Sequence, residues 1–146
     1  MKWIDHIVAG LEEEHGTLNV YEICYFRKIL ILEVDPSHGM LEGHEAFYVR
    51  NRNNREVILI SNALDEHLKE FILKHELGHA ICHPGVLSAG FTYSNKGKYE
   101  RQANYFAFKL NNINFDEIEF EGMTIEQIAC CLKVPLDPLK QITNIV

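Results

Sequence analysis

A chain of 146 residues with 47% hydrophobic and 24% charged residues carries enough apolar material for one buried core, which excludes a disordered tail. Its formal net charge of −7 argues against a nucleic-acid binder that works by broad phosphate neutralisation, though it leaves room for a DNA-binding protein as partner. The first residues reach Glu12-Glu13-Glu14 too early for a signal peptide, and no apolar run is of membrane-spanning length. Cys24, Cys82, Cys130 and Cys131 form no CxxC pair, and the adjacent two would make a strained bridge. They read as reduced thiols of a cytoplasmic protein, three of them on apolar helix faces.

In chain order, residues 3–15 carry Trp3, Ile4, Ile7, Val8 and Leu11 at helical spacing, and Gly16 stops them. Thr17 and Asn19 are candidate caps for a second helix ending near Lys28. Ile29 to Val34 is a branched apolar run of strand length, broken by Asp35-Pro36-Ser37-His38-Gly39. Residues 45–50 and 56–61 read as two strands of a hairpin around the turn-like Asn51-Arg52-Asn53-Asn54-Arg55. Asn62 is the expected cap of a helix from about Leu64 to Cys82, which Pro84-Gly85 ends.

Residues 84–97 are rich in Gly and Ser and read as a long loop. From Tyr99 to Leu110 the pattern is helical, with Ala103, Phe106, Ala107 and Leu110 on one face. The polar, acidic stretch 111–122 reads as a surface excursion. Thr124 should cap a last pair of short helices, 125–133 and about 137–143. The pattern predicts an α+β fold with a small antiparallel or mixed sheet and a helical C-terminal tail.

The informative segment is Lys74-His75-Glu76-Leu77-Gly78-His79-Ala80-Ile81-Cys82-His83, which contains HExxH. Positions four apart on a helix are about 40° apart around the axis, so His75 and His79 share a face and can grip one Zn²⁺. Glu76 is turned away by about 100° and can reach a water beside the metal without ligating it. Composition alone yields this pattern in about one such chain in twenty, so context matters. Here the motif lies in a helical pattern after a hairpin strand. Gly78 removes bulk beside the metal face, at a helix-propensity cost of about 1 kcal/mol.

A catalytic zinc usually takes three protein ligands. His83 cannot join His75 and His79 from one straight helix, because spacings of 0, 4 and 8 separate the ends by about 12 Å. Its default reading is a helix-end histidine whose removal barely matters to metal affinity. Glu100, opening the next helix, can approach from across the site, and other acids remain open. Asn104, one turn further, could hold a ligand imidazole by its distal N–H.

His75 to His83 together with Tyr99-Glu100-Arg101-Gln102-Ala103-Asn104-Tyr105-Phe106-Ala107 resembles the ImmA/IrrE family of metallopeptidases. The resemblance implies a zincin-like, gluzincin-type domain over residues 1–122, with residues 123–146 as a helical tail packed on it. It implies His75, His79 and Glu100 as zinc ligands and Glu76 as the catalytic glutamate. Two departures stand out: Gln102 where the family often has a second acid, and Asn111-Asn112-Ile113 where it has a Leu-Met-Pro-like segment. Tyr93, Tyr99 and His83 are candidate donors to the oxyanion.

Residues 122–135 resemble half of a helix-turn-helix, but the stretch lacks the Arg and Lys that would seat phosphates. A packed tail without direct nucleic-acid contact is the expectation. The resemblance implies a protein substrate, a helix-turn-helix repressor of a phage or mobile element, whose cleavage relieves repression. The alternative is a catalytically weak anti-repressor that binds and sequesters a regulator. Arg50, Arg52 and Arg55 form a basic cluster at the hairpin turn, by default solvated.

Overall fold

The computed structural model describes residues 1–85, 88–91, 97–113 and 120–143. In chain order the elements are α1 (Lys2–His15), α2 (Val20–Phe26), β1 (Ile29–Val34), a 3-10 turn (Gly39–Leu41), β2 (Ala46–Arg50), β3 (Glu56–Ser61), α3 (Glu66–Cys82), β4 (Ser88–Phe91), α4 (Lys98–Leu110), α5 (Ile125–Leu132) and α6 (Leu136–Thr143). The fold is α+β, with one four-stranded mixed sheet in the order β1-β3-β2-β4. Among the described residues, no helix is long and apolar enough to cross a membrane.

β3 sits between β1 and β2, pairing parallel with the first (Ile31 opposite Ile58) and antiparallel with the second (Tyr48 opposite Ile58). Ile58, Leu59, Ile60 and Ser61 are all buried, which is why this strand reads as an uninterrupted apolar run. β1 is an edge strand and leaves Leu30 and Leu32 exposed. The expected hairpin is present. Asn51 Oδ1 accepts the backbone N–H of Asn53 and of Arg55 at 2.9 Å each, an Asx-type closure.

Four expectations need correction. Residues 88–91, read as loop, form the edge strand β4, antiparallel to β2 with Phe91 opposite Ala46. Four residues that include Ser and Gly carry no alternation to read, so only the pairing partner makes them a strand. The cap of α3 is Asp65, whose Oδ1 accepts from Leu68 N at 3.0 Å, and not Asn62. Asn62 N still donates to Val34 O at 2.8 Å, so its backbone remains committed to the sheet.

Arg50 is the third correction, since it is not solvated. Its Nη2 donates to Ala80 O at 3.2 Å and its Nη1 to Pro84 O, so it ties β2 to the last turn of α3, where a cation is favoured, and to the segment just after it. Lastly, Cys130 and Cys131 are both exposed, leaving Cys24 and Cys82 as the two thiols on inner faces.

α4 packs against α3, α1 and α6. Its burial is therefore wider than one face: Tyr105 and Phe108 are buried along with Ala103, Phe106, Ala107 and Leu110. The Thr124 cap forms a capping box with Gln127. Ala129, Val134, Leu139 and Ile142 of the tail join the same apolar core as α1, α3 and α4.

Candidate metal centre

α3 enters the site from the sheet and α4 crosses it. Their close contact depends on Gly78: a Cβ there would stand 3.1 Å from Phe106 Cδ1 and 3.2 Å from Ala103 Cα. The missing side chain makes room for α4, and not for the metal face as the sequence suggested. That approach brings Glu100 and Asn104, on either side of Ala103, to the two histidines of α3.

His75 Nε2 lies 3.1 Å from His79 Nε2 and 3.0 Å from Glu100 Oε2, and His79 Nε2 lies 3.2 Å from Glu100 Oε1. The three residues offer ligand atoms all within 4.8 Å of one another. His75 and His79 are buried and Glu100 is half-buried. Phe91 of β4 stands edge-on to the His75 ring at 4.8 Å and walls the site with an apolar surface.

The far side of each imidazole is held separately. His75 Nδ1 is 2.6 Å from Asn104 Oδ1. An amide oxygen can only accept, so Nδ1 carries the proton and Nε2 keeps its lone pair. His83 Nε2 is 2.8 Å from Gln102 Oε1, and by the same logic donates. His83 Nδ1 is then the acceptor for His79 Nδ1–H at 3.0 Å, which leaves His79 Nε2 with its lone pair as well.

Two imidazole lone pairs and a carboxylate thus face one point. Acceptors that close repel unless a cation sits among them, and two nitrogens plus one carboxylate oxygen suit a borderline divalent ion. The donor set therefore fits a metal. Burial pushes the Glu100 carboxyl up, but whenever His75 and His79 carry a proton on Nε2, their hydrogen bonds and charge outweigh it and hold the group well below the usual carboxylate range. Burial lowers the pKa of His79 against the opposing hydrogen bond that its protonated ring would donate to Glu100, and lowers that of His83 against the one it donates to Gln102.

Glu76 is fully buried, and neither carboxylate oxygen has a hydrogen-bond partner among the described residues. Burial raises its pKa well above the ordinary value, with Glu100 adding to the shift. A carboxylate left without partners costs several kcal/mol, which makes sense beside a group that supplies charge or a water.

Of the remaining sequence candidates, Asn104 is at the site. His83 is buried between His79 and Gln102, so its ring nitrogens are engaged and it is not a free donor. The helix-end histidine of the sequence reading is thus a buried group with both ring nitrogens in hydrogen-bond contact. Tyr99 is exposed, with its ring 4.4 Å from that of His83. Tyr93 lies outside the described residues. The sequence reading passed over Gln141, whose Oε1 accepts from Asn104 Nδ2 at 3.0 Å. It lies 37 residues from Asn104, and no local pattern signals it.

An α+β scaffold that joins two histidines of one helix to a glutamate of the next, with a buried carboxylate alongside, fits the metallopeptidase class. Residues 27–141 match peptidase family M78, the IrrE N-terminal-like domain, and the chain belongs to that family. It is 33% identical over 143 residues to metallopeptidase ImmA of Bacillus subtilis (strain 168), covering 92% of this chain and 80% of the relative. It is also 27% identical over 135 residues to an uncharacterized immunity region protein 2 of Bacillus phage phi105, covering 89% of this chain and 82% of that protein.

Proposed function

We propose that this protein is a zinc-dependent endopeptidase that cuts a helix-turn-helix repressor of a phage or mobile element in the cytoplasm and so relieves repression. The observation that carries the reading is the convergence of His75, His79 and Glu100 beside a buried, unpartnered Glu76. Names of the relatives support the setting: one is a metallopeptidase, the other an immunity region protein of a phage.

His75, His79 and Glu100 would hold the Zn²⁺. When bound, the ion supplies Lewis-acid polarisation of water and of the scissile carbonyl. Glu76 takes the proton of the attacking water on a carboxylate oxygen and delivers it to the leaving amine. Its burial raises the proton affinity of that carboxylate, which favours the uptake. Asn104 and His83 keep the two ligand imidazoles in the tautomer that presents Nε2. Phe91 excludes water from one side of His75.

Glu76→Gln tests the reading, because an amide cannot accept the proton. The variant should fold, retain Zn²⁺ and still bind the repressor, while cleavage falls by at least about a hundredfold. In cells carrying the matched repressor, the parent should deplete it and the variant should leave it intact. Relief of repression by Glu76→Gln equal to that by the parent would replace proteolysis with sequestration as the mechanism.

A further inference from the structure

The C-terminal tail reaches the metal centre through a hydrogen-bonded path, Gln141 to Asn104 to His75. Asn104 is buried, and its amide has two ends of nearly the same shape. Turned one way, Oδ1 accepts from His75 Nδ1–H. Turned the other way, Nδ2 would donate to His75 Nδ1, the proton would move to Nε2, and His75 could no longer ligate. His75 by itself tolerates either arrangement, so what the far side of the amide meets bears on the choice. There, Asn104 Nδ2 donates to Gln141 Oε1 at 3.0 Å.

We propose that Gln141, on α6, is a positioning residue of the metal centre: as acceptor for Asn104 Nδ2–H it turns Asn104 Oδ1 to His75 and so leaves His75 Nε2 free to ligate. The inference rests on the metal-site reading above. α6 is moored independently of this bond, since Leu139 and Ile142 are buried in the core on either side of Gln141. The tail is thus part of the site, and the family match runs through it to residue 141. Any event that lifts α6 from α4 would release the Asn104 amide and weaken the His75 ligand without touching α3.

The test uses the full chain, stripped of metal and titrated with Zn²⁺ against a chromophoric chelator. Alongside it, nitrogen NMR of the metal-free protein reads the His75 tautomer. Gln141→Leu should weaken Zn²⁺ binding by about 10- to 100-fold, the usual scale for a group that orients a ligand. It should also convert His75 from the Nδ1–H form to a mixture. Gln141→Glu, which still accepts, should restore both readouts. In an Asn104→Asp background both terminal oxygens accept, the choice of orientation is gone, and adding Gln141→Leu should cost nothing more.

Should Gln141→Leu fold poorly by its melting curve, Gln141→Lys is the second variant. It is a donor-only chain of similar length and should move both readouts the same way. Parental affinity and a parental tautomer in a folded Gln141→Leu or Gln141→Lys variant would overturn the inference. So would an equal loss in the Asn104→Asp background, since that marks a merely structural role. His75→Ala separates the two levels: loss of Zn²⁺ binding there upholds the metal site whatever Gln141 does. Retention would sink the metal site and this inference with it.

Discussion

Gly78 and Ala103 meet across the α3–α4 contact so closely that a Cβ on Gly78 would stand 3.2 Å from Ala103 Cα and 3.3 Å from its carbonyl oxygen. Backbone cannot swing aside as a side-chain end can. Gly78→Ala gains about 1 kcal/mol of helix propensity but incurs about 1–3 kcal/mol of overpacking, a net loss of up to about 2 kcal/mol. Because α4 carries Glu100 and Asn104, metal affinity should fall even where the melting temperature barely moves. Parallel measurement of both in this variant checks the prediction, and an unchanged affinity would refute it.

The ligand set makes the next prediction. Purified under zinc-replete conditions, the protein should carry about one Zn²⁺, as three-ligand sites do. His75→Ala and His79→Ala should abolish it by elemental analysis, and Glu100→Gln should lower affinity by well over tenfold. Metal content in the histidine variants equal to the parent's would remove the site.

His83 should matter more than its place at a helix end suggests. Its Nδ1 is 3.0 Å from His79 Nδ1 and its Nε2 is 2.8 Å from Gln102 Oε1, so it transmits the amide's orientation to the ligand. His83→Ala should weaken Zn²⁺ binding by about tenfold or more. Gln102→Leu should produce a smaller loss of the same kind. Chelator competition distinguishes this from a neutral outcome, which would return His83 to a packing role.

Thiol chemistry gives a pH-dependent prediction. Burial pushes Cys24 and Cys82 up to about 12. A raised thiol pKa delays the thiolate, so at pH 8 only about one in ten thousand is ionised in the folded state. Alkylation at these two should rise about tenfold per pH unit above that point. Cys130 and Cys131 are exposed and should react first. Mass spectrometry of the folded protein at pH 8 should therefore show two fast adducts on the 130–131 peptide and two slow ones; a fast adduct at Cys24 would contradict the burial.

The sequence by itself determined whatever depends on local spacing. The four-residue step from His75 to His79 sets them on one face of a helix wherever that helix is placed. Thr124 and Gln127 form their capping box within one turn. The branched run Ile58-Leu59-Ile60 marks a strand covered on both faces. The Asn51 turn closes within five residues.

Tertiary structure alone decided what depends on partners far along the chain. β4 is a strand only because β2 offers it an edge. α4 buries Tyr105 and Phe108 because three helices surround it, so a search for one apolar face captured only part of its packing. Gly78 carries the same residue type in either reading, and only the position of Ala103 shows which neighbour it admits. The tautomers of His75 and His79 are set by Asn104 and Gln102 of α4, Gln141 of α6 and His83 at the C-cap of α3. An imidazole can carry its proton on either nitrogen at little intrinsic cost, so the sequence of α3 leaves the choice open and the packed neighbours make it.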